Sequence, residues 1–268
     1  MQFITIPKDL DLVLDEAWSA ASKVPGFLLE GEARLLGMIA ACNPGNGEII
    51  EIGSFKGKST VMLAKVCQHY GLAPVVAVDP HNFNSVELRQ HKTSEDASSY
   101  AEFLDNIRLA GVSEFVEPIR AYSSDVALKW NRPIRFLWID GDHTFSGAKR
   151  DFDGFFTHVV PGGVVAFHDA LHEFSGPIRV FAEDVLRSNE FGPAGFVGSI
   201  AWSQFRPADG ANFREERERL LRFAENLIPF VKDDAKLQGL RKMLFKLKRS
   251  KVPRASIRPE QWASLLNR

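Results

Sequence analysis

The chain has 268 residues, 45% of them hydrophobic, which supports one large globular core or one domain with appendages. A formal net charge of -1 implies no global attraction to nucleic acid, and no apolar run approaches the roughly 20 residues of a membrane span. Cys42 and Cys67 are too few for a disulfide framework and fall in apolar helical patterns, so they read as buried thiols in a reducing, cytoplasmic setting.

The first nine residues lack a basic segment followed by an apolar core, so no leader peptide is expected. Residues 8–23 read as a helix, with Leu10, Leu12, Val13, Leu14 and Trp18 as its apolar positions, and residues 29–42 as a second. A turn cluster, Asn43 to Gly47, leads into Glu48-Ile-Ile-Glu-Ile-Gly-Ser-Phe-Lys-Gly-Lys-Ser-Thr60. This is a β-branched strand, a glycine loop and the start of an apolar helix. That geometry lets backbone N–H groups meet a ligand at a helix N-terminus.

Three ligands compete for the loop. Gly57-Lys58-Ser59 looks like the end of a P-loop, but three residues separate Gly53 from Gly57 where a P-loop has four. A Rossmann Gly-x-Gly-x-x-Gly triplet is absent. Glu51, Gly53 and Gly57 fit the spacing Glu/Asp-x-Gly-x-x-x-Gly, whose acid suits a ligand with a cationic end and hydroxyls. An ordinary strand–helix turn that needed glycine is the plain alternative.

Further along, Pro74 to Asp79 is a short apolar strand, 97–110 a helix, and Glu114 to Ile119 a strand. Asp125 to Trp130 reads as a short helix, Ile134 to Asp140 as a strand and Phe145 to His158 as a helix. Val159 to Gly163 reads as a turn, Gly163 to Asp169 as a strand, 177–188 as a helix, and Phe196 to Phe205 as one or two strands. Alternating strands and helices predict a doubly wound, mostly parallel α/β sheet. Glu51, Asp79, Asp140 and Asp169 each close a strand, so all four should line the carboxyl edge, where such sheets bind ligands.

Residues 211–249 differ in character. Phe213 to Glu225 is a charged amphipathic helix, Lys236 to Lys251 is basic with apolar residues interleaved, and 256–267 reads as a terminal helix. The plain reading is a helical appendage with a solvated basic face. The sharper one is a dock for an acidic partner, an anionic lipid surface or a phosphorylated substrate.

Four segments in order carry a family resemblance: Glu51 to Ser59, Val76 to Asp79, Trp138-Ile-Asp-Gly-Asp-His143 and Pro161-Gly-Gly-Val-Val-Ala-Phe-His-Asp169. From Leu36 to Asp169 the chain resembles class I S-adenosylmethionine (SAM) methyltransferases. It is most similar to the subgroup of macrolide-sugar and catechol O-methyltransferases. The resemblance implies a seven-stranded Rossmann-like sheet with helices on both faces. It divides the chain into an N-terminal helical cap (1–44), a SAM-binding domain (45–208) and a C-terminal basic helical extension (209–268).

The resemblance also implies roles for residues. Gly53 and Gly57 would let the backbone approach SAM, with Ser54 in the same loop and Glu51 near the amino acid end. Asp79 would accept hydrogen bonds from the ribose hydroxyls, as a carboxylate does for NAD. Ser123 and Ser124 match the adenine-contacting region, with a helix N-cap as the other reading. His143 is the candidate general base beside Asp140, since an ordinary imidazole titrates near neutrality. Asp140 and Asp169 match carboxylate ligands of a divalent cation such as magnesium, with Asp142 as a third oxygen donor. His168 replaces an acid or amide and would favour a softer metal. His81 would sit at the cofactor mouth, Lys56 and Lys58 flank it, and His91, His158 and His172 join no constellation. The acceptor is expected to be a small molecule or sugar rather than nucleic acid, and the terminal helices offer faces for a homo-oligomer. The alternatives are a nucleotide-dependent transferase or hydrolase and a non-catalytic SAM-binding interaction protein.

Overall fold

The computed structural model describes residues 4–83, 98–232 and 237–268. Seven strands form one sheet: β1 (Glu48–Ile52), β2 (Val75–Val78), β3 (Val116–Ile119), β4 (Ile134–Ile139), β5 (Val159–Phe167), β6 (Phe191–Val197) and β7 (Ile200–Phe205). Their order is β3-β2-β1-β4-β5-β7-β6. The first five run parallel, and β7 enters antiparallel between β5 and β6. The strand order reverses beside β1, which places the β1 loop at the switch point where open α/β sheets bind ligands.

The helices are α1 (Leu10–Ala21), α2 (Glu30–Ala41), α3 (Lys58–Tyr70), α4 (Tyr100–Leu109), α5 (Ser123–Ala127), α6 (Phe145–Phe156) and α7 (Gly176–Val180), which continues as a π-helical stretch to Leu186. After them come α8 (Arg214–Leu227), α9 (Gly239–Arg249) and α10 (Pro259–Leu266). The pleat sorts the strand residues into two cores. Ile49, Val75, Phe136, Trp138 and Trp202 face α1, α2, α3 and α10. Ile50, Val76, Leu137, Val165 and Phe167 face α6, α7, α8 and α9. The strands of the parallel centre are thus buried on both sides, so β2 reads as a continuous apolar run and β1 and β4 are interrupted within it only by the buried Glu51 and Arg135.

Several boundaries differ from expectation. Ser113 to Phe115 forms a 3₁₀ turn, so β3 begins at Val116. Val159 to Gly163 is not a free turn. It is the start of β5, where the pairing slips from Ile134↔Val159 to Phe136↔Val164, a bulge that absorbs Pro161 and the glycines. β6 starts at Phe191, before the expected 196. The start of the basic segment at Lys236 and the residue at 97 lie outside the described residues. Among the described residues no helix is long and apolar enough to cross a membrane.

Candidate active site

β1 ends in a loop that its neighbours hold tightly. Gly53 has φ 89°, and a Cβ there would lie 2.2 Å from the Asp140 carbonyl oxygen, so only glycine fits between the ends of β1 and β4. Gly57, at φ 92°, is the N-cap that precedes α3. Glu51 is fully buried and turned toward α3, where the hydroxyls of Ser59 and Thr60 donate to its two oxygens. Burial pushes its carboxyl up to about 8, against the lowering effect of those hydroxyls. Ser54 Oγ is buried with no hydrogen-bond partner among the described residues. A buried orphan hydroxyl in such a loop fits a polar ligand.

The P-loop alternative fails on side-chain direction. Lys58 Nζ lies 3.3 Å from the Gly26 carbonyl and over the Trp18 ring, while Ser59 is given to Glu51. Lys56 pairs with Glu102 at 2.8 Å. The amine and hydroxyl that would serve phosphate and magnesium are committed elsewhere.

Asp79, at the end of β2, accepts the backbone N–H groups of Phe55 (2.7 Å) and His81 (2.6 Å), so it ties the glycine loop to the β2 end. His81 is not at an open mouth. It is 2% exposed, with Nδ1 2.9 Å from Ser99 Oγ and its ring against Tyr100 and Phe103, and burial lowers its pKa. The non-glycine residues with positive φ among those described are Phe55, His81, Phe83 and Asp169, all in loops leaving the carboxyl ends of strands. Strained backbone of this kind gathers at functional sites.

Ser123 and Ser124 occupy the first turn of α5, whose N-cap is Tyr122, so neither is the N-cap. The Ser123 hydroxyl donates to Asp151 of α6. Asp151 is buried, and burial pushes its carboxyl up to about 6.

The ends of β4 and β5 bring together a charged cluster. His143 Nε2 lies 3.2 Å from Asp140 Oδ1, and its ring stacks on Phe174. His168 Nδ1 lies 2.9 Å from the same oxygen. Its Nε2 points to Glu32 of α2 at 3.6 Å. Asp169 stands 4.0 Å from His143, 3.8 Å from His168 and 3.6 Å from His172, and Ser199 reaches it at 3.3 Å. Burial opposes charge on His168, but Asp140 and Asp169 outweigh it and raise the imidazole well above its ordinary range. In return, although burial would raise both acids, His168 and its partners hold Asp140 and Glu32 down to about 2.

The residues expected to hold a cation, Asp140, His168 and Asp169, lie together at this edge, within 3.8 Å of one another through His168. Asp140 faces two histidines, Asp142 caps its own loop by accepting the Thr144 N–H at 3.1 Å, and among the described residues no group of three or more His, Cys, Asp or Glu is placed to hold a metal ion. His158 sits at the opposite end of the sheet, its carbonyl accepting from Ile134 N, and His91 lies outside the described residues.

Glu32 was invisible in the motifs. It is 2% exposed, and besides facing His168 it accepts both the backbone N–H (2.6 Å) and the hydroxyl (2.7 Å) of Ser199. Its one signal was a carboxylate inside an apolar helix that could bury it only with partners. Asp151, Ser199 and Phe174 stood on elements without a motif.

Residues 50–170 match the model of a family described as a methyltransferase domain. In fold the chain is similar to the O-methyltransferase NovP, with 15% identity and a TM-score of 0.54 over 74% of this chain and 98% of that one. It is similar to cofactor-bound Rv0187 from MTB, with 16% identity and a TM-score of 0.51 over 75% and 91%. It is also similar to the S-adenosylhomocysteine-bound methyltransferase PaMTH1 of Podospora anserina, with 10% identity and a TM-score of 0.50 over 75% and 89%. At these identities the likeness is one of fold, and it agrees with the strand order and the glycine loop. Residues 50–170 thus match a methyltransferase domain, set in a seven-stranded sheet of Rossmann-like methyltransferase topology.

Proposed function

We propose that the chain is an O-methyltransferase that methylates a hydroxyl of a small molecule or sugar, with His143 as general base. The observation that carries this reading is the His143–Asp140 pair, 3.2 Å apart at the end of β4, directly across Gly53 from the glycine loop. The solved neighbour NovP, itself an O-methyltransferase, supports it.

SAM supplies a sulfonium methyl; the methyl–oxygen bond forms as the methyl–sulfur bond breaks, leaving S-adenosylhomocysteine. The chain's residues position and deprotonate. The Gly53–Gly57 backbone and Ser54 Oγ receive the cofactor's polar end, and Glu51 fixes the loop through Ser59 and Thr60 rather than by an open carboxylate. Asp79 holds the loop through Phe55 N–H and keeps lone pairs for the ribose. Ser124 is the better adenine-side contact, because the Ser123 hydroxyl is given to Asp151.

Asp140 orients His143 through Nε2–H, and Nδ1, 4.0 Å from Asp169, is the nitrogen that takes the acceptor's proton. Asp140 then stabilises the imidazolium that forms. Positive charge beside Asp140 comes from His168, whose position the resemblance gave to a cation ligand. Positioning of acceptor against methyl supplies most of the remaining rate.

Replacing His143 with Ala tests the reading, with S-adenosylhomocysteine release followed over a panel of catechol and sugar acceptors. Turnover should fall about a hundred- to ten-thousandfold while S-adenosylhomocysteine affinity stays near that of the wild type. Unchanged turnover would remove His143 as base.

A further inference from the structure

The C-terminal helix α9 is built unlike the rest of the surface. Between Gly239 and Arg254 the chain carries seven basic residues and no acidic one, in a protein whose net charge is -1. One face of α9 is buried through Phe245, at 1% exposure. The opposite face carries Leu240, Met243, Leu244 and Leu247, at positions i, i+3, i+4 and i+7, and they are 67%, 60%, 37% and 57% exposed. Four large aliphatic side chains in a row against solvent form a patch that a soluble surface helix ordinarily avoids.

The helix is held rigidly to the body. Arg241 donates to the Pro229 and Phe230 carbonyls, and Lys242 pairs with Glu173 at 2.8 Å. These contacts fix the buried side and leave the apolar row outward. Lys246 and Lys251 are exposed beside and beyond that row, on stems long enough to lie along apolar surface with the ammonium at its edge.

We infer that α9 docks the protein on an anionic lipid surface. The row is convex and lies on a single helix. It therefore fits a planar interface, with leucines and methionine entering the acyl boundary and lysines at the headgroups. A peptide helix would need a groove to lie in. A second copy of the chain would set this basic helix against its own symmetry mate, with no acidic residue on α9 to pair across the contact. Charge complementarity thus selects phospholipid headgroups of negative charge. Glu173, which holds Lys242, adjoins Phe174, on which His143 stacks, so a docked helix would sit beside the acceptor side of the site.

Vesicle flotation of the full chain tests this. The protein should float with mixed phosphatidylcholine–phosphatidylglycerol vesicles, stay down with phosphatidylcholine alone, and dissociate as salt rises. Leu244→Glu with Leu247→Glu should abolish flotation, and Lys246→Glu with Lys251→Glu should weaken it by about tenfold or more. All four positions are exposed, so the melting temperature should be unchanged, which separates lost docking from lost folding. Absence of flotation with anionic vesicles would overturn the inference. Equal flotation of the leucine variant would overturn it too, as would that variant converting a wild-type dimer into a monomer by light scattering.

Discussion

Glu51 shows how one side chain can serve a site without facing it. Its carboxyl is pushed up to about 8 by burial, from 4.5 in an ordinary environment. Between those values the folded protein binds a proton that the unfolded chain has released. Stability must therefore fall as pH rises through that window. Glu51→Gln keeps the shape and the hydrogen bonding of the protonated form. The wild type should lose several degrees of melting temperature between pH 5 and pH 8 that the variant retains, as read by calorimetric melts. Parallel curves would mean that Glu51 is ionised in the fold. Glu32 and Asp140 work in the opposite sense. Held down to about 2, they stabilise the fold above their ordinary range and lose that contribution as pH falls. The motif residues Gly53, Asp79, Asp140, His143 and Asp169 were legible because strand ends converge on one edge whatever the loops do. Glu32 was not, because it reaches His168 from a helix whose packing no local pattern announces. The Lys58 direction was equally hidden, since Gly26 and Trp18 attract it from across the fold.

At the scale of elements, long periodic segments were read well and short ones poorly. β1, β2 and β4 have apolar runs that only a sheet buried on both faces explains. β5 was misread at its start, because Pro161-Gly-Gly163 signals a turn locally while the partner strand tolerates a bulge. In α8, Arg217 looked like part of a solvated face. It is 1% exposed, and its guanidinium donates to the carbonyls of Leu186, Phe191 and Gly210, so it clamps α8 to the start of β6 and its flanking turns. The terminal helix α10 is likewise more than an appendage. Trp262 is fully buried, donates its indole N–H to the Cys42 carbonyl at 2.9 Å and packs against Trp202 at 4.8 Å. Trp262→Ala should destabilise the protein by about 3–5 kcal/mol, measured by denaturant unfolding. A loss below about 1 kcal/mol would show that α10 is not part of the core on that face.

Over the whole molecule, two charge patterns stand out. Acids gather with histidines at the carboxyl edge of the sheet, where strained loops and a switch point converge. Basic residues gather on α9, whose Phe245 packs in the same core as Ile50 and Ile52 of β1 and whose Arg249 feels the charges of Asp169, Glu32 and Glu173. α1, α2 and α10 fill one side of the sheet as α6 to α9 fill the other, so the loops of the edge rest on two complete layers. That support fixes Asp79 and the glycine loop in place, as the proposed cofactor role requires. The most direct test of this account is a calorimetric titration of S-adenosylhomocysteine into the purified chain in buffer containing EDTA. The account predicts one site per chain with micromolar affinity, unaffected by added ATP. No heat of binding, or binding displaced by ATP, would contradict it.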